Sequence, residues 1–129
     1  ELVLNLDFGP TILDLAGVSV PRDMQGVSLV PLLEGRKRPN WRQSVYYHYY
    51  EMGWHNVQPH FGVRTDRYKL IYFYESDCWE LHDLQEDPHE IHNLYGENGY
   101  EGIVRDLKHE LRRLQEELGD RDALATWEL

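Results

Sequence analysis

Five apolar residues, Ile103, Leu107, Leu111, Leu114 and Leu118, recur at steps of 4, 4, 3 and 4 toward the end of the chain. That spacing predicts one helix over about residues 100–118 with a single apolar stripe. Such a helix gains too little from its own turns to stand alone in water, so its stripe must lie on a second apolar surface. The preceding residues decide which. From Ser44 the sequence turns to β-formers: Val45-Tyr46-Tyr47-His48-Tyr49-Tyr50, then Phe61-Gly62-Val63-Arg64, Tyr68-Lys69-Leu70-Ile71-Tyr72-Phe73-Tyr74 and Trp79-Glu80-Leu81-His82. Thr65-Asp66-Arg67 is the right length for a tight hairpin, which makes the second and third strands antiparallel neighbours. The expected fold class is therefore α+β: a four-stranded antiparallel sheet packed by a long C-terminal helix.

The first forty residues read differently. Asp7 as a cap, Pro10 in the first turn, and Phe8, Ile12, Leu13, Leu15 and Ala16 before Gly17 predict a short helical N-terminal segment of about three turns. Residues 18–26, with Pro21 and Gly26, read as an irregular connector. Ser28, Pro31 and Gly35 then frame a helix of one or two turns. A basic, proline-containing loop over residues 36–42 suggests a boundary near residue 40, with residues 1–40 and 41–129 as separate parts. Beyond the strands, Asp87-Pro88-His89-Glu90 has the pattern of a capped helical turn, with Glu90 placed to complete a capping box.

Composition narrows the function classes. With 13 Lys+Arg against 23 Asp+Glu the chain carries a net charge of −10, and its basic residues are dispersed. Such a surface repels phosphate backbones and anionic lipid, so neither nucleic acid nor membrane is an expected partner. The longest apolar runs, such as residues 29–33, fall far short of the ~20 residues of a membrane span, and the first residues lack a basic-then-apolar leader pattern. The single cysteine, Cys78, excludes an internal disulfide and any Cys-only metal site.

Several residues invite chemistry. His89 and His92 are spaced so that one helical turn could present both imidazoles to one ion, yet no His-Glu-x-x-His or Cys-x-x-Cys pattern accompanies them. Cys78, in Ser76-Asp77-Cys78-Trp79, has no recognisable base beside it, and packing is the simpler role. The tyrosines of residues 46–50 could stack on sugar rings, or form an ordinary sheet surface. Acidic pairs such as Glu116 with Glu117 fit a solvated helix face. The loop over residues 51–59 places Trp54, His55 and Asn56 where polar and aromatic side chains meet a partner. These residues alone complete no active site.

Two stretches resemble a known family. Residues 5–18, Asn-Leu-Asp-Phe-Gly-Pro-Thr-Ile-Leu-Asp-Leu-Ala-Gly-Val, followed by Pro21, Met24-Gln25-Gly26-Val27-Ser28-Leu29 and Pro31-Leu32-Leu33, look like the segment that closes the large domain of type I sulfatases. Gly62-Val63-Arg64-Thr65, Arg67-Tyr68-Lys69-Leu70-Ile71, then Trp79-Glu80-Leu81-His82-Asp83-Leu84, Asp87-Pro88, Glu90 and Asn93-Leu94 are similar to that family's C-terminal subdomain. His82 stands where tyrosine is the more familiar residue. The resemblance is nearest to sulfatases acting on 6-sulfated glucosamine-type sugars.

The resemblance implies a C-terminal portion of a sulfatase, residues 1–40 ending the large domain and 41–129 forming the subdomain. It implies a partner in the missing N-terminal domain, which would supply calcium and a formylglycine made within a Cys/Ser-x-Pro/Ala-x-Arg motif. Cys78, followed by Trp79-Glu80-Leu81-His82, breaks that motif, and no nucleophile role passes to it. The resemblance also points to His60 as a contact for a sulfated saccharide, beside Trp54 and His55. An imidazole there can hydrogen-bond a sugar while an aromatic ring packs its apolar face; the alternative is a strand-end histidine bonded to its neighbouring loop. Arg64 and Lys69 suit cross-strand or interface ion pairs better than sulfate. Family habit implies a secreted, periplasmic or lysosomal protein. The expected function is thus a substrate-pocket wall of a sulfuric ester hydrolase, incomplete alone, with an exposed docking face through which a homodimer can form. A free-standing carbohydrate-binding or protein-interaction module of the same fold is the alternative.

Overall fold

The computed structural model describes all residues except Lys37 and residues 53–55. The chain divides into two compact units, Glu1–Arg42 and Gln43–Leu129.

In the second unit, β1 (Ser44–Tyr49), β2 (His60–Thr65), β3 (Tyr68–Phe73) and β4 (Cys78–Asp83) form one antiparallel sheet in the order β1-β2-β3-β4. The β2–β3 hairpin closes with Asp66 and Arg67, and Thr65 Oγ1 accepts from the Tyr68 amide at 2.9 Å. Alternate residues of the sheet, Phe61 and Val63, Leu70 and Tyr72, and Leu81, pack against α3 (Glu101–Leu118) through Leu107, Leu111 and Leu114. Ile103 is half-buried and Leu118 exposed, so the helical stripe seals only along its middle.

Gly119, at φ 72°, takes the left-handed conformation that stops α3, and Asp120 caps α4 (Arg121–Ala125) by accepting from the Ala123 amide at 3.0 Å. This short helix is absent from the sequence reading, although a glycine stop followed by an aspartate cap is its signature. It brings Ala123 and Trp127 into the core, where the Trp127 indole donates to the buried Gln115 side chain at 3.0 Å.

The helical turn expected after Asp87 does not form. The Asp87 carboxylate instead accepts from the amides of Ile91 and His92 at 2.7 and 2.8 Å, and those bonds hold its pKa below the usual value. Glu90 sits at φ 54° and reaches Lys69 at 2.5 Å rather than closing a capping box. The same segment then covers the outer edge of β4: Asn93 Oδ1 accepts from the Leu81 amide and the Leu94 amide donates to the Leu81 carbonyl, at 3.0 and 2.8 Å.

The first unit contains a 3-10 turn (Asn5–Asp7), α1 (Phe8–Leu15) and α2 (Val30–Leu33). Asp7 does not cap α1 with its side chain. Fully buried, the carboxylate accepts from the amides of Leu4 and Val27, at 2.8 and 2.9 Å, and from both terminal nitrogens of Arg42, at 2.5 and 2.7 Å. Burial alone would raise its pKa, but Arg42 and the two amides hold it low. Gly26 permits this convergence, because a Cβ there would lie 2.0 Å from the Leu6 carbonyl oxygen. Ser28 likewise is not the α2 cap, a position held by Leu29; its hydroxyl donates to Asp14 at 2.5 Å and accepts from the Val30 amide at 3.2 Å. Phe8, Ile12 and Leu15, spaced along one side of α1, are 57%, 65% and 68% exposed.

Candidate functional site

Side chains alternate across a strand, so the residues of the sheet that do not face α3 share its other surface. Tyr47 and Tyr49 of β1, His60, Gly62 and Arg64 of β2, and Phe73 of β3 lie there. Gly62 is required at the centre: a Cβ would meet the Leu70 carbonyl oxygen at 2.4 Å and the Tyr47 hydroxyl at 2.5 Å. The tyrosine ring therefore lies over bare backbone.

His60 pairs directly with Tyr49 across the β1–β2 ladder, and their rings stack at 5.6 Å with 28° between planes. The Tyr47 ring meets it edge-on at 5.9 Å and Phe73 at 5.1 Å. Nδ1 donates to the Gln58 carbonyl at 2.8 Å, which fixes the tautomer and leaves Nε2 as an acceptor. The loop bond that competed with a ligand role in the sequence reading is thus present, but it uses one ring nitrogen only. Next to this ring, Asn56, Val57, Gln58, Phe73, Ser76, Cys78 and Glu80 line a cleft of about 350 Å³. Its amide and hydroxyl groups with one aromatic ring are the chemistry that sugar hydroxyls need. Asn56 and Gln58 come from the loop that sequence reasoning singled out, and Tyr47 from the tyrosine run, whereas Phe73 was not singled out; its period-2 alternation along β3 was the available signal. Trp54 and His55 lie outside the described residues.

Charges on this surface are largely spoken for. Lys69 is paired with Glu90, which lies on the loop after β4 and not on a neighbouring strand. The Tyr47 hydroxyl is buried without a partner among the described residues, and its pKa is raised by burial and by Glu90 and Glu80, against a smaller opposing effect of Arg64. It remains a proton donor. His82 is buried, its Nδ1 donating to the His92 carbonyl at 3.1 Å and its Nε2 3.3 Å from Glu80. Cys78 is exposed. Among the described residues no group of three or more His, Cys, Asp or Glu side chains is placed to hold a metal, and no helix is long and apolar enough to cross a membrane.

A sheet of this order backed by one long helix, with the sequence that builds it, defines the class. Residues 1–117 match the family described as N-sulphoglucosamine sulphohydrolase, C-terminal, and the chain belongs to that family. It has the fold of the C-terminal subdomain of sulfatases. It is 45% identical over 123 residues to the N-acetylglucosamine-6-O-sulfatase of Bacteroides thetaiotaomicron, covering 92% of this chain and 22% of that protein. The N-acetylglucosamine-6-sulfatase of Bos taurus is 31% identical over 124 residues, covering 72% of this chain and 22% of the relative. A solved structure of a protein in complex with its substrate, D-glucosamine-2-N,6-O-disulfate, superposes with a TM-score of 0.85 at 44% identity, covering 90% of this chain and 24% of that one. This chain therefore spans about a quarter or less of the relatives it matches.

Proposed function

We propose that the chain is the substrate-facing C-terminal subdomain of a sulfuric ester hydrolase acting on sulfated saccharides of the 6-sulfated glucosamine type. Its similarity to an N-acetylglucosamine-6-O-sulfatase along nearly its whole length carries this reading. His60 contacts a sugar hydroxyl through Nε2, held at a fixed angle by the Gln58 carbonyl and the Tyr49 ring. An immobilised imidazole loses little freedom when it binds, which favours its use as a positioning group.

The chain's residues fit neither a formylglycine nor calcium: Cys78 lacks the proline and arginine positions of the modification motif, and no acidic cluster stands ready among the described residues. Those groups belong to the larger N-terminal domain, whose docking covers the apolar face of α1.

The test uses the polypeptide as its gene encodes it, assayed on glucosamine 6-sulfate. His60→Ala is expected to raise KM roughly tenfold with kcat little changed, the size of one lost hydrogen bond. An unchanged KM removes His60 from the pocket. No hydrolysis of any sulfated saccharide by the unaltered polypeptide removes the enzymatic reading.

A further inference from the structure

Arg64 and Lys69 are direct partners across the β2–β3 ladder, so two cations stand side by side on the sheet surface that carries His60. Like charges in that relation destabilise a sheet unless each is neutralised. Lys69 has its counter-ion in Glu90, at 2.5 Å. Arg64 is exposed, and among the described residues no carboxylate pairs with it. The remaining residues, Lys37 and Gly53-Trp54-His55, include no acid. On its other side Arg64 pairs with Val45, which is apolar and buried. The chain has 23 acidic side chains against 13 basic ones, yet the fold brings none of them to this guanidinium.

The missing anion therefore comes from outside the chain, and two sources compete. One is a sulfate of the saccharide. Arg64 lies four residues from His60 along β2, about 13 Å at the rise of a strand, and a single sugar ring held at His60 is narrower than that. The other is protein. This chain spans about a quarter or less of the relatives it matches, so most of a polypeptide of that size lies outside it. Arginine also suits the second source, because its planar fork takes both oxygens of a carboxylate in parallel hydrogen bonds.

We propose that Arg64 is a docking contact for the larger N-terminal domain and holds one of its Asp or Glu carboxylates; this rests on the proposal that such a domain precedes the chain. The bound carboxylate offsets the charge that Arg64 sets against Lys69. A contact of this kind fixes the register of docking more than it adds affinity.

The test measures amide exchange over β2 and β3 in the whole polypeptide and in the 129-residue chain, each with and without Arg64→Glu. In the 129-residue chain the substitution places opposite charges across the ladder, so protection is expected to hold or to rise slightly. In the whole polypeptide it sets carboxylate against carboxylate, and protection is expected to fall roughly tenfold or more, the size of one lost charged hydrogen bond. Arg64→Met, which removes the charge without reversing it, is expected to give a smaller fall in the whole polypeptide and none in the 129-residue chain. An arginine that only meets water cannot produce effects that differ between the two. Equal losses in both, or no loss in a polypeptide that has the larger domain, overturn the proposal. So does a loss that appears only when glucosamine 6-sulfate is added, because the anion is then the saccharide's. A coding region without a larger domain removes the sulfatase reading and this contact together.

Discussion

Among the described residues, the largest fully buried side chains of Glu1–Arg42 are those of Asp7 and Pro10, and the apolar side of α1 stays in solvent; in Gln43–Leu129 they are led by Phe61, Leu70, Leu81 and Leu111. The first unit is held by polar convergence on one carboxylate, the second by apolar area removed from water. These are different kinds of stability. Polar convergence specifies geometry but recovers little net free energy, because each charge gives up its hydration to enter the protein. Apolar burial supplies the driving force. The second unit therefore contains its own reason to fold, whereas the first contains a shape and leaves most of its apolar surface for something else to cover.

The strongest test of that contrast is Asp7→Ala. It strands the Arg42 guanidinium and the Leu4 and Val27 amides, at an expected cost of about 3–5 kcal/mol. Amide exchange should show residues 4–29 losing protection while β1–β4 keep theirs. Equal loss in the sheet would mean that the two units do not melt separately. Acid should act in the same direction. The folded pKa of Asp7 lies below the ordinary carboxylate value, so the unfolded chain takes up the proton first. The stability from this group is complete above that value and is lost as pH falls through the lower, folded pKa. Asp83, its pKa lowered chiefly by Arg67, and Asp120 weaken the second unit by the same route, but its apolar core remains.

Leu111→Ala is the converse experiment. Leu111 is fully buried in the core between helix and sheet, and its loss should cost about 2–5 kcal/mol. The denaturation midpoint followed through Trp79 and Trp127 should fall, while protection at the Val27 amide should not change. A fall in that protection would tie the two units into one cooperative block.

The same contrast explains what could be read from the sequence. Strands and the long helix were legible because burial on one face writes a period into the sequence, as Phe61-Gly62-Val63 and Leu107-Leu111-Leu114 do. The polar clamps were not. Asp7, Asp87 and Glu90 each carry a local capping signal, and each is taken over by a partner the local pattern does not contain: Arg42, 35 residues away, the amides of Ile91 and His92, and Lys69. A cap competes with every other donor within reach, and only the fold decides which wins. For the candidate site, the resemblance pointed to His60, but its setting among Tyr49, Tyr47 and Phe73 depends on strand register, which no single strand reveals.

Asp120→Ala should have a middling effect, because Asp120 combines both kinds of stabilisation: it caps α4 and also ties His48 and Tyr46 to the corner after α3. About 1–2 kcal/mol is expected, the upper range for a lost helix cap. Exchange at the Ala123 amide should rise most. A loss as large as that of Leu111→Ala would mean that the polar corner, not the apolar core, holds the second unit together.

The smallest effect sets the same chemistry in the opposite surroundings. Arg113 grips Glu110 at 2.8 Å and Glu117 at 2.6 Å on the outer side of α3, where its side chain is 55% exposed, against 17% for Arg42 on Asp7. On distances alone the two arginines are equivalent. Water and salt screen the outer pair, so Arg113→Ala should cost only about 0.3–1 kcal/mol, shrinking further as salt is added. The cost of Asp7→Ala should hardly respond to salt, because no ions reach that carboxylate. If the two arginine–carboxylate pairs proved equally costly to break, or equally sensitive to salt, burial would not be what separates the first unit's clamp from an ordinary surface contact.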